Sequence, residues 1–228
     1  LMPQGWTARG RLCQARGMRL DAPLPCPFDL VLFDMDDVLA RYEPETRIAA
    51  LARATGREAD HIRRAIWESD YFAQADSGRW DAARCLAEFS ARIGAPVSRA
   101  VWVETRRAAL TPFPEMLALV AGLKAGGTTV ALLTNNDLLA LEELDRLVPG
   151  LPALMAPHGY CSAQFGLAKP DPAIFRAACA RIGVAPERSL FVDDLAENVA
   201  GARAAGMAGH VFAGRAGLEA ALAQGARS

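Results

Sequence analysis

The chain has 228 residues, of which 52% are hydrophobic and 22% are charged, and its formal net charge is −1. This length is sufficient for one α/β domain with a small accessory domain, and the composition is typical of a globular protein. The near-neutral charge and the lack of a dense basic stripe argue against a nucleic-acid-binding protein, and no apolar run approaches the roughly 18 residues of a membrane span.

The cysteines favour a reducing compartment. There are five of them, an odd number, and no two have CxxC spacing. A disulfide framework or a zinc site needs paired or regularly spaced cysteines, so we expect free thiols and a cytoplasmic location.

Residues 1–27 are basic and contain no apolar segment of signal-peptide length. Four arginines precede the first acidic residue, Asp21. We expect this segment to be a poorly ordered extension, with a transit peptide as the alternative, and we expect the fold to begin at Pro27.

The first predicted strand ends in two closely spaced carboxylates. Residues 28–39 begin as a short apolar strand, which ends by presenting Asp34 and Asp36. Side chains two residues apart in a strand point to the same side, so both carboxylates can face one site at the carboxyl end of the strand. In open α/β sheets, ligands bind in the crevice outside these strand ends.

Four predicted helices follow without an intervening strand. They cover residues 45–55, 58–69, 80–93 and 98–110, and their apolar residues recur at i, i+3 and i+4 spacing. An all-helical segment between the first and second strands predicts a helical cap over residues 43–111. The candidate substrate-facing residues are Tyr71, Phe72, the turn at residues 76–79, and Arg41 and Tyr42 just before the cap.

Helices and strands alternate in the rest of the chain. The predicted order is helix 115–125, strand 129–133, helix 137–147, a strand near 153–155, helix 171–183, strand 189–192, helix 196–205 and strand 209–212. This alternation indicates a doubly wound, mostly parallel α/β sheet with right-handed crossovers. The core domain is therefore predicted to comprise residues 28–42 and 112–213, and residues 214–228 to form a C-terminal tail or short helix.

Three further polar signals lie along this second half of the chain. Thr134 and Asn135 follow the second strand, Lys169 precedes a helix, and Asp193 and Asp194 follow a later strand. Carboxylates are oxygen ligands for Mg²⁺, which usually also binds waters and phosphate oxygens. A hydroxyl and an ammonium group can bind the remaining oxygens of a phosphate. The set as a whole predicts a site for Mg²⁺ and a phosphate.

In these motifs the chain resembles the haloacid dehalogenase (HAD)-like hydrolase superfamily, in its phosphatase branch with a helical cap. The matching segments are Asp34-Met35-Asp36, Thr134-Asn135, Lys169 and Asp193-Asp194, in the order of the family. Over residues 28–213 the chain is similar to the N-terminal phosphatase domain of soluble epoxide hydrolase and to bacterial sugar-phosphate phosphatases. The resemblance implies a Rossmann-like core.

The resemblance also implies roles for the first motif. Asp34 would be the nucleophile that forms an aspartyl-phosphate, and Asp36 the general acid and base. Asp34 and the backbone carbonyl of Asp36 would bind Mg²⁺. Dehalogenases lack an acid two residues after the nucleophile, so Asp36 favours phosphoryl transfer. The family usually has Gly where this chain has Asp37, and we interpret Asp37 as a tolerated variant, because Asp adopts a positive φ more readily than most residues.

The later motifs would supply the remaining ligands in the same resemblance. Thr134, Asn135 and Lys169 would bind the phosphate, and Lys169 would also neutralise the nucleophile. Asp194 would bind Mg²⁺ directly, while Asp193 would orient Lys169 or a water on the metal.

The sequence therefore predicts Mg²⁺-dependent hydrolysis of a small phosphorylated metabolite, a phosphate monoester, through an aspartyl-phosphate. A phosphomutase acting on a sugar phosphate shares these motifs and is one alternative. A catalytically impaired, phosphatase-derived binding protein is another, because of Asp37. A signalling receiver domain has similar acidic, Thr and Lys residues, but it is much shorter and has no helical insertion. The sequence determines neither the substrate nor the oligomeric state.

Overall fold

A five-stranded parallel sheet forms the centre of the protein. The computed structural model describes Leu24 and residues 26–225, and the fold is that of these residues. The strands, in chain order, are β1 (Leu30–Phe33), β2 (Ala40–Tyr42), β3 (Leu110–Pro112), β4 (Thr129–Thr134), β5 (Gly159–Cys161), β6 (Ser189–Asp193) and β7 (Ala208–Val211). The central sheet has the strand order β5-β4-β1-β6-β7, and each neighbouring pair is parallel.

Helices occupy most of the remaining described chain. In chain order they are α1 (Pro44–Thr55), α2 (Ala59–Ile62), α3 (Tyr71–Asp76), α4 (Ala82–Ile93), α5 (Arg99–Ala108), α6 (Pro114–Ala125), α7 (Leu138–Glu142), α8 (Leu144–Leu147), α9 (Leu151–Met155), α10 (Pro172–Ile182), α11 (Ala196–Ala204) and α12 (Arg215–Gly225). A π-helical turn, Arg63–Trp67, continues α2, and short 3₁₀ turns occupy Ser162–Gln164 and Pro186–Arg188.

Strand β1 lies in the middle of the sheet and is completely buried. Leu30 and Leu32 pack on one face with residues of α10 and α11, whereas Val31 and Phe33 pack on the other face with residues of α6 and α7. A strand that is buried on both faces needs an unbroken apolar run, which these four residues provide. Helices cover both faces of the sheet, so the predicted doubly wound α/β fold is confirmed.

Helices α1 to α5 form an insertion between β2 and β3, called the helical insertion below. The two strands pair antiparallel as a short ribbon through which the chain leaves and re-enters the sheet region. The side chains of Asp81 and Ser98 accept backbone N–H groups at the starts of α4 and α5. Gly56 and Gly94 end α1 and α4 in the left-handed conformation.

Two elements differ from the sequence prediction. Residues 153–155, predicted as a strand, lie in helix α9, and the strand at this side of the sheet is β5 instead. A short apolar run fits a strand and a buried helix equally well, and Pro152 in the first turn of α9 favours the helix. The predicted helix 137–147 is interrupted at Glu143, between α7 and α8.

The ends of the chain are only partly described. The predicted extension over residues 1–27 lies mostly outside the described residues, but the N–H of Leu24 donates to the carbonyl oxygen of Gly122 in α6 (3.1 Å). Helix α12 lies within the predicted C-terminal segment 214–228. In the described part of the chain, no helix combines the length and the apolar character that crossing a membrane requires.

Candidate active site

The turn after β1 carries the first two carboxylates. The N–H of Asp34 donates to the carbonyl oxygen of Val192 in β6 (2.9 Å), so Asp34 continues the register of the sheet at its carboxyl end. Asp34 is only 7% exposed, and Asp36 is half-buried. Met35, between them, is buried in the apolar core, so the two acidic side chains alternate with it along the chain.

Asp37 adopts a backbone conformation for which Gly is the usual residue. Its φ is 58°, and it is the one non-Gly residue with a positive φ in the described part of the chain. Its N–H donates to the carbonyl oxygen of Ala40 (2.7 Å), and its Oδ1 accepts the N–H of Tyr42 (3.3 Å). Asp tolerates this region better than most residues, so the turn keeps its shape without a Gly.

Lys169 connects the first motif with the last. Its buried Nζ lies 2.7 Å from Asp34 Oδ1 and 2.7 Å from Asp193 Oδ2. Burial by itself lowers the pKa of Lys169, but the charges of the two carboxylates outweigh burial and hold this pKa above its usual value. Lys169 is therefore positively charged at neutral pH and pairs with both acids.

Asn135 uses its side chain to hold Lys169 in place. Its Nδ2 donates to the carbonyl oxygen of Lys169 (2.9 Å), and its Oδ1 accepts the N–H of Lys169 (2.9 Å). Both ends of the amide are thus bonded to the backbone of Lys169. The phosphate contact that the sequence predicts for Asn135 would have to come from its backbone N–H.

Asp193 is fully buried and hydrogen-bonded through both oxygens. Its Oδ1 accepts the N–H of Leu195 (2.8 Å) and Nδ2 of Asn198 (3.1 Å), and its Oδ2 accepts Nζ of Lys169 (2.7 Å). Asn198 is itself buried, so it orients Asp193 rather than lying on the surface. The next acid, Asp194, is half-buried.

Asp34, Asp193 and Asp194 form a group that fits a divalent cation. One carboxylate oxygen of each lies within 4.8 Å of those of the other two. Burial raises the pKa of Asp34 to about 7, an effect that Lys169 opposes and that the charges of Asp193 and Asp36 increase. Burial, and then the charge of Asp193, also raises the pKa of Asp194. One lysine does not balance these carboxylates, and a hard cation such as Mg²⁺ would supply the missing charge.

Asp36 faces a buried arginine of the helical insertion. Nη2 of Arg106, in α5, lies 3.7 Å from Asp36 Oδ2. Burial raises the pKa of Asp36, and the charge of Arg106 opposes this shift. The side chain of Asp36 is not part of the group of three carboxylates, so the metal contact predicted for it would come from its backbone carbonyl.

Thr134 is linked to two residues that the sequence reasoning missed. Its Oγ1 accepts Nδ2 of Asn136 (2.8 Å), and Oδ1 of Asn136 accepts Nη2 of Arg106 (2.6 Å). All three side chains are buried. The second Asn of the Thr-Asn-Asn motif was a usable signal for Asn136, whereas Arg106 has the appearance of an ordinary basic residue in an amphipathic helix.

The turn at residues 76–79 brings the helical insertion against the core beside the site. Gly78 has a φ of 73°, and a Cβ at this position would lie closer than 3.0 Å to the carbonyl oxygen of Ala163, just after β5. Burial, followed by the charge of Asp137, raises the pKa of Asp76 to about 7, and the charge of Asp36 adds to this. The charge of Asp76 is therefore coupled to that of Asp36, the expected acid and base.

Three other candidate substrate-facing residues, Tyr71, Phe72 and Arg41, contact neighbouring residues of the protein, although Arg41 is exposed. Tyr71 is buried, and its hydroxyl donates to the carbonyl oxygen of Cys85 (3.0 Å). Phe72 packs edge-on against Tyr71, with 5.5 Å between the ring centroids. The guanidinium of Arg41 lies over the ring of Phe113, 5.7 Å from its centroid.

Known proteins resemble this chain over most of its length. A family model described as haloacid dehalogenase-like hydrolase matches residues 28–206. The chain is similar to a sesquiterpene phosphatase of Aspergillus oryzae, with 28% identity over 191 residues that cover 80% of this chain and 88% of the relative. It is also similar to a glyceraldehyde 3-phosphate phosphatase of Methanopyrus kandleri, with 29% identity over 197 residues that cover 78% of this chain and 80% of the relative.

A solved structure shows the same fold. It is a HAD family enzyme from Bacteroides thetaiotaomicron in complex with magnesium and inorganic phosphate. The two chains superpose with a TM-score of 0.70 at 21% identity, over 82% of this chain and 95% of the other. At this identity the likeness concerns the fold.

Proposed function

Since the chain belongs to the haloacid dehalogenase-like hydrolases, we propose that it is a Mg²⁺-dependent phosphatase that hydrolyses a small phosphate monoester through an aspartyl-phosphate. The group that carries the proposal is Asp34, Lys169 and Asp193, in which one ammonium nitrogen lies 2.7 Å from both carboxylates. Relatives named as phosphatases support the reaction class. Their names refer to a sesquiterpene and to glyceraldehyde 3-phosphate, which are too different to indicate one leaving group.

In the first step, Asp34 attacks the phosphorus atom and the bond to the ester oxygen breaks. Lys169 and the hydroxyl of Thr134 bind the phosphoryl oxygens, because positioning and charge stabilisation are the main demands of phosphoryl transfer. Mg²⁺, held by Asp34, Asp194 and the backbone carbonyl of Asp36, would neutralise charge on these oxygens. Asp193 keeps Lys169 aligned through the 2.7 Å contact.

Asp36 acts as acid and then as base. It donates a proton to the departing alkoxide, and in the second step it accepts a proton from the water that cleaves the aspartyl-phosphate. Burial raises the pKa of Asp36, which favours a carboxyl group that can carry a proton closer to neutral pH. The charge of Arg106, 3.7 Å away, limits this shift.

We also propose that residues 43–111 act as a cap over a core of residues 28–42 and 112–213. The contact of Gly78 with the segment after β5 supports this division, since it brings a turn of the helical insertion to the carboxyl end of the sheet. A cap at this place would exclude bulk water from the aspartyl-phosphate and contact the leaving group.

The test is hydrolysis of p-nitrophenyl phosphate with and without Mg²⁺, for the wild type and for Asp34→Asn. We expect Mg²⁺-dependent release of phosphate by the wild type and none by Asp34→Asn, which keeps the shape of the side chain but removes the nucleophilic oxygen. Glu197→Gln, which neutralises an exposed acid in α11, is the matched control and should remain active. A fully active Asp34→Asn would contradict the nucleophile assignment. A phosphomutase is tested separately by incubation with a sugar phosphate, for which transfer of phosphate between positions of the sugar without release would indicate that activity.

A further inference from the structure

Arg106 reaches the candidate site from the helical insertion. It is 4% exposed and lies in α5, two residues before the end of the helix. Its guanidinium lies over the rings of Tyr42 and Trp102, 5.6 Å from each centroid. This packing fixes the plane of the guanidinium, so its hydrogen-bonding direction is set before any ligand binds.

The bond from Arg106 determines how the amide of Asn136 is oriented. Nη2 of Arg106 is 2.6 Å from Oδ1 of Asn136. A guanidinium carries only donors, so the oxygen of the amide has to face Arg106 and the NH₂ group has to face the opposite way. A flipped amide would place an NH₂ group against the guanidinium, two donors facing each other, and is therefore excluded.

The orientation of Asn136 in turn determines the direction of the Thr134 proton. Nδ2 of Asn136 donates to Oγ1 of Thr134 (2.8 Å), so the hydroxyl is an acceptor in this bond. A hydroxyl has one proton to donate, and this proton therefore remains available. Among the hydrogen bonds of the described residues, none uses it. An anionic phosphate oxygen is a suitable acceptor for it.

The backbone of Asn136 is held independently of Arg106. Its N–H donates to Oγ of Ser162 (3.1 Å), and its carbonyl oxygen accepts from the same hydroxyl (3.2 Å). Ser162 is completely buried. The side-chain amide is therefore the part of Asn136 whose orientation depends on Arg106.

We propose that Arg106 is a positioning residue which, through Asn136, aims the hydroxyl proton of Thr134 at the substrate phosphate. The inference rests on the proposed function, in which Thr134 is a phosphate ligand. If the amide of Asn136 were flipped, its oxygen would accept the Thr134 proton and the phosphate would lose a donor. The direction of the Thr134 proton is thereby set by a residue of the helical insertion.

Two substitutions of Arg106 separate this role from mere packing. Arg106→Lys keeps a side chain that only donates, so the amide of Asn136 keeps its orientation. Arg106→Gln introduces a side chain that accepts as well as donates, so both orientations of Asn136 become possible. If Arg106 acted only through its charge or packing, Arg106→Gln would weaken phosphate binding equally whether residue 134 is Thr or Val.

The experiment is calorimetric titration of inorganic phosphate into the full chain with saturating Mg²⁺. The wild type, Arg106→Lys and Arg106→Gln are compared, each also in a Thr134→Val background, and thermal melts establish that each variant is folded. We expect Arg106→Gln to weaken phosphate binding about tenfold or more, the effect of losing a hydrogen bond to a charged group. Arg106→Lys should stay within about threefold of the wild type. In the Thr134→Val background, Arg106→Gln should have no further effect.

Equal losses of phosphate affinity from Arg106→Gln in both backgrounds would overturn the inference, because Arg106 would then act independently of Thr134. Unchanged affinity in a folded Arg106→Gln would also overturn it, while turnover by the wild type would leave the proposed function standing. A wild type with neither turnover nor phosphate binding would refute both. If the Arg106 variants do not fold, Asn136→Asp replaces them, because its carboxylate still pairs with Arg106 but cannot donate to Thr134. Asn136→Asp should then weaken phosphate binding more when residue 134 is Thr than when it is Val. Equal losses of phosphate affinity in the two backgrounds would contradict the inference.

Discussion

Gly78→Ala tests whether the contact between the helical insertion and the core controls the site. Gly78 has a φ of 73°, and a Cβ there would lie closer than 3.0 Å to the carbonyl oxygen of Ala163. A backbone carbonyl cannot rotate away as a flexible side chain does, so the turn at residues 76–79 has to move by about 1 Å to restore an ordinary van der Waals contact. A displacement of this size near a reaction centre reduces the rate by up to about a hundredfold, and we expect kcat/KM for p-nitrophenyl phosphate to fall about 10- to 100-fold.

The matched control is Gly56→Ala, in the same helical insertion. Gly56 has a φ of 70°, but a Cβ there would have no atom within 4 Å. Both variants therefore carry the cost of a positive φ, about 1–2 kcal/mol of unfolding free energy, and only Gly78→Ala disturbs the contact. Steady-state kinetics at saturating Mg²⁺ and urea unfolding measure the two effects. Wild-type kcat/KM in Gly78→Ala, or an equal loss in Gly56→Ala, would refute the reasoning.

Two further predictions concern the metal and the pH. Mg²⁺ should raise the Tm of the wild type, because a ligand that binds only the folded state stabilises it. Asp194→Asn should reduce this increase in Tm, whereas the control Glu197→Gln should not. An equal increase in all three proteins would argue against Asp194 as a metal ligand. Burial raises the pKa of Asp76 to about 7, so Asp76 binds a proton more tightly in the folded chain than in the unfolded chain. The stability that this protonation contributes is fully present below the pKa of the unfolded chain and is lost as the pH rises through about 7. The Tm of Asp76→Asn minus that of the wild type should therefore increase from pH 4 to pH 8, and a difference that does not change with pH would contradict the assignment.

The strand-end motifs were predictable because each depends on local sequence. An apolar strand followed by an acid predicts both a buried strand and a polar group at its carboxyl end, and β1 with Asp34 and β6 with Asp193 have this arrangement. Parallel neighbours bring such ends together, which is why the approach of Asp34 to Asp193 follows from the topology. The position of β5 did not follow, because a three-residue strand gives too short a pattern to compete with the apolar run of α9.

The residues that support the site were not predictable in the same way. Asn135 and Lys169 are 34 positions apart, and Arg106 and Asn136 are 30 positions apart. These contacts depend on the path of the loop before α10 and on the packing of α5 beside the segment after β4. Neither feature produces a periodic pattern in the sequence. A buried Arg in an amphipathic helix also has the same pattern as an exposed one, since the long side chain can extend either way.

The bonds around Lys169 explain how a lysine can occupy a position that helix electrostatics disfavours. Lys169 lies shortly before α10, whose N-terminal dipole favours anions. Asn135 holds its backbone at both the N–H and the carbonyl, and the ammonium is paired with Asp34 and Asp193 at 2.7 Å each. Two close carboxylates outweigh the field of a helix end, which is the equivalent of about half a charge. The pairing with the two carboxylates, rather than the dipole of α10, therefore determines that the Lys169 side chain is positively charged.

The same bonds connect three strand ends into one preorganised unit. The segment after β4 fixes the backbone of Lys169, Lys169 fixes the acids that follow β1 and end β6, and Asn198 fixes the second of these acids from α11. Groups held in this way need no reorganisation when charge develops on a phosphate, which is the condition for strong electrostatic stabilisation. Arg106 extends the unit into the helical insertion. The segment that is proposed to contact the leaving group is thus also the one that orients a phosphate ligand, so changes in the insertion are expected to alter phosphate binding together with substrate preference.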